Sequence, residues 1–184
     1  QHRKMSDSIE YASLIQRSIL PPQEEMIKAF PDSFVIWRPR DVVGGDFYWL
    51  HRVPDTGEVL FAVIDCTGHG VPGALLSMTV NTLLNNIVKE HGAQRLNEIL
   101  SLLHKGIAGT LHQDNENSRQ DGLAISIIKF HKDRNYLCFA GAEQSLLYYD
   151  ILDHEVKQER GSRFSLGGAK WHQELSFEER RIEY

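Results

Sequence analysis

The chain has 184 residues, of which 41% are hydrophobic and 24% charged, a composition that suits one globular domain with a sizeable core. Its formal net charge of −5 argues against a nucleic-acid binder, whose binding face is ordinarily basic. Cys66 and Cys138 form neither a disulfide framework nor a CxxC pair, no run approaches the ~20 apolar residues of a membrane span, and the N-terminus has no signal-peptide layout. The sequence therefore reads as a soluble piece with free thiols in a reducing compartment.

Residues 1 to 20 predict an amphipathic helix, with Met5, Ile9, Ala12, Ile15 and Ile19 at helical spacing and Pro21-Pro22 ending it. The pattern begins at Gln1 without a cap, which reads as a helix that continues upstream in a longer chain. Leu14 and Leu20 widen the apolar stripe beyond one face, compatible with packing on both the domain and a partner. Phe34 to Trp37 predicts a short strand, followed by Arg38-Pro39-Arg40-Asp41 and the Gly44-Gly45-Asp46 turn. Phe47, Tyr48 and Trp49 open the next strand and read as core more readily than as cleft lining. Pro54 to Gly57 is a turn.

The apolar run Val59 to Ile64 predicts a strand that ends at Asp65 and opens into Cys66-Thr67-Gly68-His69-Gly70. Pro72 then starts a helix that runs to about Lys89 and stops near His91-Gly92. A second helix spans Leu96 to Leu111. His91, His104 and His112 lack metal-ligand spacing and read as solvated or helix-end residues. Gln113 to Gln120 is polar and structureless, and leads to Asp121-Gly122 and a strand from Leu123 to Phe130. Further strands are predicted at Tyr136 to Ala140, Leu146 to Ile151, Val156 to Gln158 and near Ile182, with Gly161 to Lys170 as a glycine-rich loop. Two helices among many hairpin-linked strands indicate an α+β fold with antiparallel sheets.

The stretch from Arg38 to Met78 carries the chemistry. Asp46 and Asp65 both stand at strand ends beside glycines that let backbone carbonyls approach an ion, a way of holding hard cations such as Mg²⁺ or Mn²⁺. Two such turns suit two ions, and the helix start behind them favours anions such as phosphate. Asp beside Gly is by itself ordinary turn chemistry. The combination of two acidic turns about twenty residues apart, an apolar strand between them and a Pro-started helix is what points to function. Arg38 and Arg40 arrive beside this site; Arg40 is the candidate for holding phosphate, against the plainer reading of a solvated or paired arginine.

At VVGGDFYW and FAVIDCTGHGVPGALLSM the chain resembles the bacterial SpoIIE/RsbU-type branch of the PPM metal-dependent protein phosphatases. The resemblance implies an α-β-β-α sandwich and a serine/threonine phosphatase that uses two Mg²⁺ or Mn²⁺ ions. In that reading Asp65 bridges the ions, Asp46 holds one, Cys66 offers its backbone oxygen, and Gly68, His69 and Gly70 lie near the phosphate. Asp121 is a further candidate ligand. The resemblance also implies that YASLIQRSILPP, within a linker or switch helix over residues 1–22, joins a sensor region to a phosphatase domain over 23–184 and takes part in homodimerisation. Its implied substrate is a phosphorylated STAS-domain protein opposed by a kinase, in the cytoplasm, as a free protein or as the cytoplasmic part of a membrane-anchored sensor.

Such phosphatases also carry an SDG-like turn and a DD-x-T-like strand whose aspartates complete the metal site, and neither motif occurs here, so the C-terminal part of the domain reads as absent. That gap keeps a non-catalytic pseudophosphatase or partner-binding module as the alternative. A cysteine phosphatase is disfavoured because Cys66 is followed by no arginine until Arg95, and a diguanylate cyclase because GGD lacks the Glu-Phe that should follow.

Overall fold

The computed structural model describes residues 2–54, 56–92, 95–111, 121–168 and 175–184. Within them the elements are α1 His2–Ser18, α2 Gln23–Ala29, β1 Phe47–Arg52, β2 Glu58–Cys66, α3 Gly70–His91, α4 Leu96–Thr110, β3 Gly122–His131, β4 Tyr136–Ala142, β5 Ser145–Asp150, β6 Glu155–Arg160, β7 Leu166–Gly167 and β8 Arg180–Glu183. The main sheet runs β1-β2-β3-β4-β8 with β7 paired to β3, all antiparallel, and β5 pairs β6 in a second, two-stranded sheet. This is the mixed α+β, antiparallel architecture that the alternation of short strands and two long helices predicts.

Strand parity decides what faces what. In β2, Leu60, Ala62, Ile64 and Cys66 point into a buried cluster with Leu76, Val80 and Leu84 of α3 and Leu100, Leu103 and Ile107 of α4. Phe61, Val63 and Asp65, at the alternate positions, face the other way. On that second face Phe30, just past α2, packs its ring against Phe61 and Phe130. The helices repeat buried residues every three or four positions because burying one apolar stripe against the sheet is what stabilises them. α3 ends at Gly92, whose φ of 71° suits a glycine, and the Glu179 carboxylate accepts the first backbone N–H of α4.

Several expectations are corrected. Phe34 to Trp37 is not a paired strand among the described residues; Phe34 and Ile36 are 84% and 77% exposed, and the run forms one wall of a cavity instead. Gln23–Ala29 is a helix that the sequence pattern does not announce, too short for its single buried residue, Met26, to display a period. His104 is not solvated: it is buried in α4, where its Nδ1 accepts the Gly167 N–H at 2.9 Å and ties α4 to β7, within the segment read as a loop. On α1 the buried positions include the polar Ser13 and Gln16, whereas Leu14 and Ile15 are exposed. The readings for His112, the 113–120 stretch, Asp55 of the Pro54–Gly57 turn, and Lys170 fall outside the described residues. No helix among the described residues is long and apolar enough to cross a membrane.

Two glycines separate local from tertiary effects. A Cβ at Gly109, in the last turns of α4, meets nothing within 4 Å, so Gly109→Ala is expected to stabilise the fold by about 0.5–1 kcal/mol through helix propensity. A Cβ at Gly161 falls 2.4 Å from the Gly141 carbonyl carbon, so Gly161→Ala is expected to destabilise the fold by roughly 1–3 kcal/mol. Urea denaturation of the two variants checks the opposite signs; equal shifts would contradict this packing.

Candidate metal centre

The register of β1 with β2 pairs Phe47 with Ile64. One step further along the ladder, Asp46 stands directly opposite Asp65, and the two carboxylates are within hydrogen-bonding reach. Like charges directly opposed across a strand pair are destabilising. Partial burial, and then the hydrogen bond and charge of Asp65, hold the Asp46 carboxyl above its ordinary range. A proton relieves this repulsion, and so does a hard cation.

The turns bearing the two aspartates touch backbone to backbone. A Cβ on Gly45 would lie 2.5 Å from the Cys66 carbonyl oxygen and 3.0 Å from that of Gly68, and one on Gly73 would lie 2.6 Å from the Gly68 oxygen. Only glycine at 45 and 73 lets the GGD turn, the CTGHG turn and the start of α3 close on one another. The Cys66 carbonyl oxygen is thereby brought beside the turn that carries Asp46. The Cys66 thiol points the other way, into the core, and burial followed by the charges of Asp65 and Asp46 pushes its pKa up, which excludes a thiolate nucleophile. Thr67 closes the far side, its N–H and hydroxyl both donating to the Gly122 oxygen at 2.8 Å.

One residue of the site was missed by sequence reasoning. Gln16 of α1 is 1% exposed, and its side-chain amide grips the GGD turn at both backbone atoms: Nε2 donates to the Gly44 oxygen at 2.5 Å and Oε1 accepts from the Gly44 N–H at 3.2 Å. The same Nε2 reaches Ser77 Oγ on α3 at 2.9 Å. The available signal was a glutamine on the apolar side of a helical pattern. Trp37 adds a second brace, its indole N–H donating to the Asp46 carbonyl at 2.8 Å.

Asp46 and Asp65 open onto a cavity of about 620 Å³ walled by Phe34 to Trp37, Tyr48, Val63 and Gln144. Arg38 lines it and Arg40 does not. His69, the N-cap of α3, is held by its Nδ1 to Asp41 Oδ2 at 2.9 Å, between Gly68 and Gly70, whose φ values are 94° and 63°; none of the three lines this cavity. Asp121 immediately precedes β3, its carbonyl accepting the Gly168 N–H; it does not join Asp46 and Asp65 in a three-residue cluster, and no group of three His, Cys, Asp or Glu among the described residues forms a metal site. Two opposed carboxylates and a carbonyl form an all-oxygen donor set, which fits a hard divalent ion but is only part of its shell.

Residues 55–176 match the family model described as Stage II sporulation protein E (SpoIIE). Among solved structures, the chain is similar to the SiaA-PP2C domain of Pseudomonas aeruginosa, with 31% identity over 99% of this chain and 68% of that one and a TM-score of 0.81. RsbX in complex with magnesium is 15% identical over 82% of this chain and 66% of that chain, TM-score 0.57. The PP2C phosphatase domain of SpoIIE from Bacillus subtilis, solved with a fragment of its regulatory domain, is 19% identical over 77% and 38%, TM-score 0.53. The last two likenesses show the fold alone. No curated protein matches. By fold, the molecule is a PP2C-type phosphatase domain. The chain belongs to the SpoIIE family.

Two measurements probe the centre. Because the folded state holds the Asp46 proton more tightly than the unfolded state does, stability without metal is expected to fall as pH rises through the raised Asp46 pKa. Asp46→Asn should remove that slope and stabilise the metal-free protein by roughly 0.2–1 kcal/mol above the window. Thermal melts in EDTA across pH decide; an unchanged slope would contradict the opposed pair. Gln16→Ala strands the Gly44 amide and carbonyl in a buried site, so it is expected to cost about 1–3 kcal/mol and to weaken Mn²⁺ binding, read by calorimetry.

Proposed function

We propose that this domain is a metal-dependent serine/threonine protein phosphatase. The observation that carries the reading is the directly opposed Asp46–Asp65 pair beside the Cys66 carbonyl, an arrangement whose electrostatic cost in the absence of a cation argues for one. Asp46, Asp65 and the Cys66 oxygen would hold Mg²⁺ or Mn²⁺, two ions in the complete site, with Asp65 bridging. Bound divalent ions supply charge neutralisation and water activation for hydrolysis at phosphorus.

The chain's own residues supply the rest. Arg38 takes the phosphate-holding role first assigned to Arg40, because it lines the cavity with the two aspartates. Gly68 and Gly70, in the turn that follows Asp65, would leave room for phosphate to approach, and Asp41 orients His69 between them. Ligands beyond Asp46 and Asp65, with Asp121 among the candidates, must complete the ion's shell from elsewhere.

The wider context belongs to the same proposal. Residues 1–22 act as a linker or switch helix ahead of a phosphatase domain over 23–184, because Gln16 connects that helix to the Asp46 turn. Tyr11, Leu14 and Ile15 give α1 an exposed apolar stripe suited to a homodimer. The substrate is a phosphorylated STAS-domain protein, opposed by a kinase, in the cytoplasm; the structural similarity to the RsbU and RsbW domains of a Mycobacterium tuberculosis protein supports such a setting only at the level of fold. The alternative, a non-catalytic partner-binding module, draws on the incomplete carboxylate set among the described residues.

Phosphate release from a phosphoserine protein with Mn²⁺ tests the reading. Asp65→Asn is expected to lower turnover at least about 100-fold, more than the loss of a supporting residue around a metal. Arg38→Ala is expected to lose about tenfold to hundredfold, equivalent to about 1.5–3 kcal/mol for a charged hydrogen bond, with Arg40→Ala near the unaltered rate. Equal losses at 38 and 40 would return the role to either arginine. No metal-dependent turnover in a folded protein would favour the binding module.

A further inference from the structure

We propose that a second cavity, away from the aspartates, is a binding site for a phosphate group. The cavity measures about 290 Å³ and brings together Arg160, Arg163 and Arg180 with the hydroxyls of Ser162 and Ser176. In a chain of net charge −5, three guanidinium groups around one cavity stand against the average charge of the molecule. Arg180 is already engaged: Nη1 donates to Glu159 at 2.9 Å and Nη2 to Glu178, on the cavity rim, at 3.0 Å. The side chains of Arg160 and Arg163 have no hydrogen-bond or ion-pair partner among the described residues. Three arginines against the two carboxylates that hold Arg180 leave the cluster positive, and the Arg160 and Arg163 guanidinium groups keep their donors available to an anion.

Tertiary structure creates this cluster. Gly161 lacks a side chain where its Cβ would fall 2.4 Å from the Gly141 carbonyl carbon, so the end of β6 crosses tightly over β4 and turns Arg160 and Arg163 around one opening. The pairing of Phe139 with Arg180 in β4 and β8 brings in the third arginine. Holding like charges together opposes folding unless an anion answers them, and guanidinium groups bind phosphate through paired N–H donors. The volume is several times the ~30 Å³ share of a water, enough for a phosphate monoester. The Ser162 hydroxyl donates to the Phe164 oxygen at 3.0 Å, which leaves the arginines as the principal donors.

The two cavities are neighbours. The Gly161 N–H donates to the Gln144 oxygen at 3.0 Å; Gln144 lines the aspartate cavity and Gly161 the arginine cavity. One backbone crossing separates them, so a single protein partner can reach both. The arginine site takes no part in bond cleavage and does not depend on the phosphatase reading.

The experiment is a titration of the 184-residue chain in EDTA with inorganic phosphate, a phosphoserine peptide and the same peptide unphosphorylated, followed by amide NMR shifts and calorimetry. Saturable binding that moves the amides of Gly161, Ser162 and Ser176, and that weakens at least about tenfold in Arg160→Glu and in Arg163→Glu, is expected. Retention of binding in Asp46→Asn/Asp65→Asn assigns it to this cavity, whatever the outcome of the turnover assay. Tighter binding of the phosphopeptide than of inorganic phosphate identifies a phosphorylated partner as the source, and equal affinity identifies the free ion; both support the site. Absence of binding, shifts confined to the aspartate turns, or affinity unchanged in both arginine variants would overturn it. Both arginines are exposed, and thermal melts of the variants verify that the fold is intact.

Discussion

Two carboxylates forced to face each other across a strand pair are the constraint around which this domain is arranged. Asp46 and Asp65 are one ladder step beyond Phe47 and Ile64, whose side chains are anchored in the core. The repulsion cannot be relieved by slipping the strands, because a one-residue slip would turn the whole of β2 inside out. The strain is instead carried by the packed glycines at 45, 68 and 73 and by the amide of Gln16, which hold the turns in place. An electrostatic cost kept by so much supporting structure is the usual mark of a functional site, and it is what supports the metal reading proposed above.

The same strand parity sorts the chemistry. Cys66 follows Asp65 directly, yet one faces the helices and the other the cleft, so the thiol is inert core while the carboxylate is presented for use. Only the Cys66 carbonyl, which lies along the strand and not across it, belongs to the site. The helices play no direct chemical part in this arrangement; α3 and α4 fill one face of the sheet and leave the other to the aspartates, the Phe34 to Trp37 wall and the arginine cavity.

Much of this was readable from residues alone. The two long helices, the strands at Val59 to Ile64 and Leu123 to Phe130, and the two acidic turns all lay where periodicity and glycine chemistry placed them. Phe34 to Trp37 misled because an apolar run carries no information about whether a partner strand is available. His104 misled because a histidine on a helix looks the same in sequence whether its ring meets water or the Gly167 amide. Arg38 and Arg40 flank one proline and look alike in sequence; only the folded chain puts Arg38, and not Arg40, in the cavity lining.

By itself the sequence determined the element types, the antiparallel α+β class and the pair of aspartate turns, because each depends on side chains within a few positions of one another. Only the tertiary structure decided that Asp46 opposes Asp65, that Gln16 reaches 28 residues along the chain to Gly44 and 61 to Ser77, and that three arginines share one cavity. Those facts arise from strand register, helix docking and backbone crossings at glycine. They are contacts between distant segments, and local periodicity holds no record of them.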